Sequence, residues 1–231
     1  MKEDPLVAMK WTTKQLVQLL VLTLIIVPIV IEFLFHDYLL AVLGNDLYAG
    51  TITGFVMSIV FVLGVYFVAL RPLHLGWGEV GLRSFPRRYW KWIIIWLIVL
   101  LAASLLIVLF MELFHIGIEN AKTESLTSNM TWFTIAIAYI SAAIISPIYE
   151  EIFYRGFLYK WFKHTWGVGA GIIVSSVIFT IVHIPTYNTL PVNFISGMIF
   201  AWTYEKSNSI VPAIIIHGLF NGIAVLLTVL T

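Results

Sequence analysis

The side chains best suited to chemistry lie in the second half of the chain, between residues 150 and 221. Two adjacent carboxylates, Glu150 and Glu151, are followed by two imidazoles, His183 and His217, and by the amide of Asn221. Glutamate and histidine are common general bases and acids, and His and Asn can donate hydrogen bonds to a developing oxyanion. Because ionisable groups are rare in the other apolar stretches of the chain, these residues predict a functional site.

The spacing around the two acids predicts an ion pair. Glu151 and Arg155 are four residues apart, so on a helix they share one face with the acid on the N-terminal side, which is the favourable order. Glu150 is rotated by about 100° from Glu151 on the same helix. We therefore expect the two carboxylates to point at different targets, one holding Arg155 and the other facing a cavity.

Two further features predict how helices meet around the site. Pro147 lies one turn before the acids, where its ring and its missing N–H should kink the helix. His217 and Asn221 are again four residues apart, while Gly218 and Gly222 form a stripe of small residues that permits close approach of another helix. We expect a polar pair held against a neighbouring helix.

The residue inventory excludes several hydrolytic mechanisms. The chain has no cysteine, its aspartates lie outside the apolar spans, and it contains neither a G-x-S-x-G elbow nor an H-E-x-x-H motif. A glutamate that activates water directly is the remaining mechanism. Glu150, His183 and His217 with an open position would also suit zinc. Asn221 is a poor zinc ligand and a good oxyanion donor, so we favour a site without a metal or other cofactor.

The elements that carry these residues must lie in a membrane. Of 231 residues, 61% are hydrophobic and only 11% are charged, against roughly a quarter in a soluble domain. Apolar runs long enough to cross about 30 Å of hydrocarbon, or nearly so, occur at residues 16–35, 51–70, 92–114, 132–149 and beyond, 168–183, 192–204 and 210–230. We predict an all-α polytopic membrane protein with seven or eight transmembrane helices, a single domain over 1–231, and the active site among helices four, five and seven.

The basic residues predict an orientation and a partner. Nearly all Lys and Arg residues fall in the connections on one side, and only Lys122 falls on the other. By the positive-inside rule, we expect the N-terminus in the cytoplasm and the C-terminus outside, in a bacterial or archaeal cytoplasmic membrane. The basic, aromatic loop 71–91 is expected to lie on anionic lipid headgroups and to set this orientation. A net charge of +1 argues against nucleic acid as a partner.

The depths of the two histidines conflict in a simple layout of seven spans. His217 lies about 10 Å from the start of the last span, whereas His183 lies about 22 Å from the start of the fifth, at about 1.5 Å per residue. They can meet if the fourth helix runs past Arg155, if helices tilt strongly, or if a loop around residues 167–171 leads into the fifth span. The sequence leaves these three possibilities open.

Three ordered motifs resemble the signatures of one family of intramembrane proteases. Glu150-Glu-x-x-x-Arg155, Phe179-x-x-x-His183 and His217-x-x-x-Asn221 look like those of the CAAX prenyl endopeptidase and bacteriocin-processing family, also called CPBP or Abi. The resemblance covers about residues 131–231, with a weaker element that ends at Arg83. In the sixth span, Ala201 stands where a glycine is usual and Ser207-Asn-Ser209 replaces Thr-Gly-Ser, which should affect packing and substrate fit.

The resemblance implies an intramembrane endopeptidase. Glu150 would activate the attacking water with help from His183. His217 and Asn221 would stabilise the oxyanion, and the pair of Glu151 and Arg155 would support the site. The family has been described both as metalloproteases and as glutamate-dependent enzymes, so the resemblance leaves zinc open. The substrate would be a peptide or protein, with or without an attached lipid.

Two other functions fit the same residues. A non-catalytic membrane protein of this family, such as an immunity factor or a sensor, would use the cluster to bind a peptide or a partner. A proton-coupled transporter would relay protons through Glu150 and the two histidines, although the inverted repeats of many transporters are not visible in the sequence. The identity of the substrate and the oligomeric state are not predicted.

Overall fold

A computed structural model describes residues 10–117, 124, 127 and 131–230. Every regular element in these residues is helical, as the composition predicts. The long helices are α1 (Thr13–Leu43), α2 (Asp46–Leu73), α3 (Trp90–Leu113), α4 (132–166), α5 (168–181), α6 (Leu190–Ser207) and α7 (Val211–Leu230). Short 3₁₀ turns at Trp77–Val80, Arg87–Tyr89 and Tyr187–Thr189 lie in the connections.

The structure does not confirm the predicted number of membrane-spanning segments. Five helical runs within the described residues are long and apolar enough to cross a bilayer: α1, α2, α3, the continuous run Trp132–Ile181 formed by α4 and α5, and α7. Helix α6 is not among them, because its polar residues, among them Asn193, Glu205 and Lys206, lower its mean hydropathy. The predicted count of seven or eight spans is therefore not confirmed.

Helix α4 extends well beyond Arg155, to residue 166. Gly167 then takes φ 85° and ψ 170°, a region in which only glycine is unstrained. The chain turns back there, so that the start of α5 packs against the end of α4. A Cβ added to Gly171 would lie only 2.8 Å from the backbone nitrogen of Lys163. Of the three solutions to the depth conflict, the first is confirmed: the fourth helix runs past Arg155, and α5 begins from the far side of that turn.

The loop 71–91 packs on the helices at its centre. Val80 is fully buried, and a Cβ added to Gly156 of α4 would lie 2.5 Å from the Val80 carbonyl oxygen. Gly81, at φ 80°, approaches Tyr204 of α6 so closely that an added Cβ would lie 2.5 Å from its ring. Two glycines thus allow the loop to pack against α4 and α6 at residues 80 and 81, while its contact with headgroups stays a prediction.

Glu79, in the same loop, joins three parts of the chain. Its carboxylate accepts hydrogen bonds from Lys160 of α4 and, at 3.1 Å, from Lys10 before α1. Lys160 also donates to the Glu79 carbonyl at 2.9 Å, and its side chain is 3% exposed. Burial acts to raise the pKa of the Glu79 carboxyl, but the hydrogen bonds and charges of the two lysines outweigh it and hold this pKa below its ordinary value.

We expect Glu79→Gln to lower the thermal stability of the protein in detergent, because it leaves the buried Lys160 ammonium without a counter-charge. The loss should be about 1.5–3 kcal/mol, the range for a hydrogen bond to a charged group. Lys10 is nearly half exposed, so Lys10→Gln should cost less than about 1 kcal/mol.

The same contact should be sensitive to pH. A carboxyl whose pKa is lowered by folding stabilises the protein fully above its unfolded pKa of about 4.3, and this stabilisation is lost as the pH falls through the lower folded value. The Tm difference between wild type and Glu79→Gln should therefore shrink below about pH 4. A difference that is unchanged between pH 7 and pH 3 would contradict the assignment.

Candidate active site

Arg155 and Glu151 form the buried ion pair that their spacing predicts. Arg155 Nη1 donates to Glu151 Oε1 at 3.0 Å, and the two side chains are 1% and 0% exposed. Arg155 Nη2 also donates to the carbonyl of Gly197 on α6, at 3.3 Å. Both charged residues belong to 151–159, a π-helical stretch of α4 in which every residue is buried. The pair therefore ties the centre of α4 to α6.

His217 of α7 lies between the two carboxylates. Its Nδ1 is 3.0 Å from Glu151 Oε1, and its Nε2 is 3.8 Å from Glu150 Oε2. Since a carboxylate only accepts, Nδ1–H donates to Glu151, which fixes the orientation of the ring. As expected, one acid holds Arg155, and this acid is Glu151. The two carboxylates nevertheless share a neighbour, because they lie near opposite nitrogens of this imidazole.

Two phenylalanine rings enclose the charged cluster. The Arg155 guanidinium lies 4.3 Å from the centre of the Phe179 ring and 5.1 Å from that of Phe200. Phe200 also stacks on the His217 ring, with centroids 4.7 Å apart and planes inclined by 20°. A cation held against aromatic faces is stabilised where water is excluded. The two rings thus pack against the guanidinium and the imidazole, while the carboxylates contact the nitrogen atoms of these groups.

His183 lies in the turn after α5 and joins the cluster through Phe179. Its Nδ1–H donates to the Phe179 carbonyl at 2.7 Å, and the two ring centroids are 4.8 Å apart. The Phe179 ring in turn lies 6.0 Å from the His217 ring. The backbone carbonyl thus fixes which nitrogen of His183 carries the proton when the ring is neutral. His183 is only half-buried, so it lies on the open side of the cluster.

The small residues of α7 pack on α4, as the sequence predicts. A Cβ added to Gly218 would overlap the carbonyl oxygen of Ala143, and one added to Gly222 would lie 3.0 Å from the Tyr139 ring. Glycine is required at the first of these positions because the neighbour is backbone and cannot move aside. This close approach brings His217, which precedes Gly218, against the acids of α4.

Asn221 faces α4 but contacts its backbone. Its Nδ2 donates to the carbonyl of Ala142 at 3.0 Å, in a π-helical segment, Ser141–Ile145, that directly precedes Ser146 and Pro147. The regular hydrogen bonding of α4 is thus interrupted where the proline predicts it. One of the two N–H groups of the Asn221 amide is used in this contact.

The structure therefore brings most of the predicted residues together. Glu150, Glu151, Arg155 and His217 form one contact cluster, and His183 adjoins it through Phe179. Sequence reasoning missed Phe200, which packs on this cluster. The sequence feature that could have identified Phe200 is its spacing of three residues from Gly197, which places both on one face of α6. A glycine on that face permits another helix to pack closely against it.

The predicted zinc ligands do not form a metal-binding group. In the described residues no three His, Asp or Glu side chains are close enough to hold one ion, and this includes Glu150, His183 and His217. The bond from Nδ1 of His217 to Glu151 leaves Nε2 able to coordinate a metal, so the misfit lies in the separation of the three predicted ligands. No step of the chemistry below depends on zinc.

Comparisons with known proteins agree with the motifs. Residues 131–223 match the family model of the type II CAAX prenyl endopeptidase Rce1-like proteins. The UPF0177 protein YbdI of Lactococcus lactis subsp. lactis is 30% identical over 110 residues, which are 45% of this chain and 55% of that protein. The chain thus aligns with about half the length of this curated relative, and no solved structure matches it. The family predicted from the three motifs is confirmed for the segment that holds them, because residues 131–223 are similar to the Rce1-like type II CAAX prenyl endopeptidases.

Proposed function

We propose that this chain is an intramembrane endopeptidase that hydrolyses a peptide bond with water activated by Glu150. The observation that carries this proposal is the unequal environment of two adjacent acids. The Glu151 side chain is fully buried and bonded to Arg155 and His217, whereas that of Glu150 is 12% exposed beside the same imidazole. One carboxylate is occupied by structural contacts and the other is accessible to water, as a general base must be.

The neighbouring groups suit the remaining steps. Glu150 would take a proton from the water that attacks the scissile carbonyl carbon and would later return a proton to the leaving amine, while His183 assists from the turn after α5. An oxyanion formed beside Glu150 would lie within reach of His217 Nε2, which is 3.8 Å from Glu150 Oε2. Since Nδ1–H is bonded to Glu151, Nε2 would donate to the oxyanion when the ring carries a proton on both nitrogens. The second N–H of Asn221 would add a donor to the same oxygen.

Arg155 supports this chemistry through its charge. Because Arg155 is bonded to Glu151, its positive charge offsets the charge of the acid that is not proposed to react. The family resemblance of residues 131–223 supports the same assignment of roles.

We place the substrate at the membrane. It would be a peptide or protein, with or without a lipid group, that approaches from the cytoplasmic side of a bacterial or archaeal membrane, with the N-terminus of the enzyme inside and the C-terminus outside. Arg87, Arg88 and Lys91 are exposed, and in the part of the chain that the structure describes none of them pairs with an acid. Exposed cations at the start of α3 suit anionic lipid headgroups.

Replacing Glu150 by Gln should lower kcat by about 10²- to 10⁴-fold, the contribution typical of a general base, while the protein still folds and inserts. Cleavage of a peptide library by detergent-purified protein would measure this. Glu112→Gln, at an exposed acid of α3, is the matched control and should keep wild-type activity. Full activity of Glu150→Gln would eliminate the general-base role.

If the wild-type protein hydrolyses no peptide, the two alternative functions, a non-catalytic membrane protein and a transporter, gain support. A cellular phenotype that survives Glu150→Gln would indicate a non-catalytic immunity or sensor protein. Substrate flux in liposomes would indicate a transporter.

His183→Ala should also abolish cleavage, with a loss of about 10²-fold or more in kcat. Its Tm should change little, because the ring is half-buried on the open side of the cluster. Thermal unfolding measured beside kcat separates the two effects. A fall in Tm that accounts for the lost activity at the assay temperature would show a structural role instead.

We propose a mechanism without metal, so cleavage should persist after exhaustive chelation of the purified protein. The measurement is the rate before and after chelation, with the residual metal content determined on the same sample. Loss of activity that zinc restores would refute the metal-free mechanism while keeping the endopeptidase assignment.

A further inference from the structure

Pro147 leaves one carbonyl of α4 without its main-chain donor. In the segment before it, the Ser146 N–H donates to Ser141 O, five residues back. In the same register the donor for Ala142 O would be the N–H of residue 147, and proline has none. A carbonyl inside a membrane bundle must find another donor, because water is not available to replace it.

The amide of Asn221 supplies that donor from a different helix. Asn221 Nδ2 lies 3.0 Å from Ala142 O. One turn earlier on α7, Gly218 has its backbone so close to the next carbonyl, Ala143 O, that an added Cβ would overlap it. The carbonyls five and four residues before the proline are thus both covered by α7, that of Ala142 by a hydrogen bond and that of Ala143 by the backbone of Gly218.

This contact lies between two groups of the proposed mechanism. Glu150 follows Pro147 by three residues on α4, and His217 precedes Asn221 by four residues on α7. A change in the distance or rotation between the two helices at Ala142 would therefore be carried to the 3.8 Å gap between Glu150 and His217.

We propose that Asn221 is a positioning residue that replaces the missing N–H of Pro147 and thereby sets the position of Glu150 relative to His217. This rests on the proposed peptidase function for its effect on rate, but the contact itself does not depend on that function. It is also separate from any donation by the second N–H of the amide to an oxyanion. Its consequence is that positions 147 and 221 are energetically coupled.

A double-mutant cycle tests the coupling. In the wild-type background, Asn221→Ala should lower Tm by about 4 °C, a shift typical of losing one such contact in a chain of this size. In the Pro147→Ala background the N–H of residue 147 can reach Ala142 O, so the same substitution should lower Tm by less than half as much. Equal losses in the two backgrounds would overturn the proposal. Asn221→Leu, of similar size and without a donor, repeats the test with a different side chain.

A matched control is available on α6. Asn193 donates to Thr189 Oγ1 of its own segment, at 3.2 Å, and does not contact α4 through this bond. Asn193→Ala should therefore have the same effect on Tm in the wild-type background and in the Pro147→Ala background. Pro147→Ala could instead change the Tm loss caused by Asn193→Ala as much as the Tm loss caused by Asn221→Ala. The coupling would then reflect a general change in the packing of the helices, and the proposal would fail.

The rate gives a readout that a merely stabilising contact would not change. At a temperature where all variants are folded, Asn221→Ala should lower kcat with little change in KM, and Pro147→Ala should restore part of that loss. An equal loss of kcat in both backgrounds would mean that Asn221 acts only on the substrate. If wild type hydrolyses no peptide, the proposed function fails, and the Tm cycle still decides whether Asn221 replaces the missing donor.

Discussion

The buried ion pair between Glu151 and Arg155 is the interaction on which the arrangement of the site depends. It lies on α4 and is enclosed by Phe179 of α5, Phe200 of α6 and His217 of α7. Yet Glu151 Oε2 and Arg155 Nε have no hydrogen-bonding partner among the described residues, and such a pair is a poor means of gaining stability. Its value is positional. The pair forms within α4, but its remaining atoms reach two other helices, because Arg155 donates to the Gly197 carbonyl of α6 and Glu151 accepts from His217 of α7.

Residue spacing predicted much of the site, since spacing determines which side chains share a helix face. The ion pair, the glycine stripe of α7 and the close approach of that helix to α4 all followed from residues four apart. The position of His217 between Glu150 and Glu151 could not be predicted, because it depends on how α7 packs against a π-helical stretch of α4. In that stretch all nine residues are buried, and burial by distant segments is not encoded in local spacing.

The limits of the fold prediction have similar causes. Hydropathy located the helices but not where the chain reverses, because the turn at Gly167 consists of a single residue with non-helical dihedral angles between two apolar helices. Composition suggested a loop on the membrane surface, but it did not indicate that Glu79 binds Lys160 from 81 residues away. Contacts of this kind join distant segments through opposite charges and through close packing at glycines. Nothing in the sequence near one partner identifies the other, so the contact cannot be predicted from local patterns.

The rigidity of Arg155 constrains any chemistry at Glu150. The guanidinium is held by Glu151, by the Gly197 carbonyl and by two aromatic faces, so it cannot move to follow a change of charge nearby. The group beside Glu150 is the imidazole of His217, 3.8 Å away, and the other nitrogen of this ring is bonded to Glu151. The four ionisable residues are thus joined by contacts that run from Glu150 through His217 and Glu151 to Arg155. The position of the proposed base therefore depends on the fixed guanidinium.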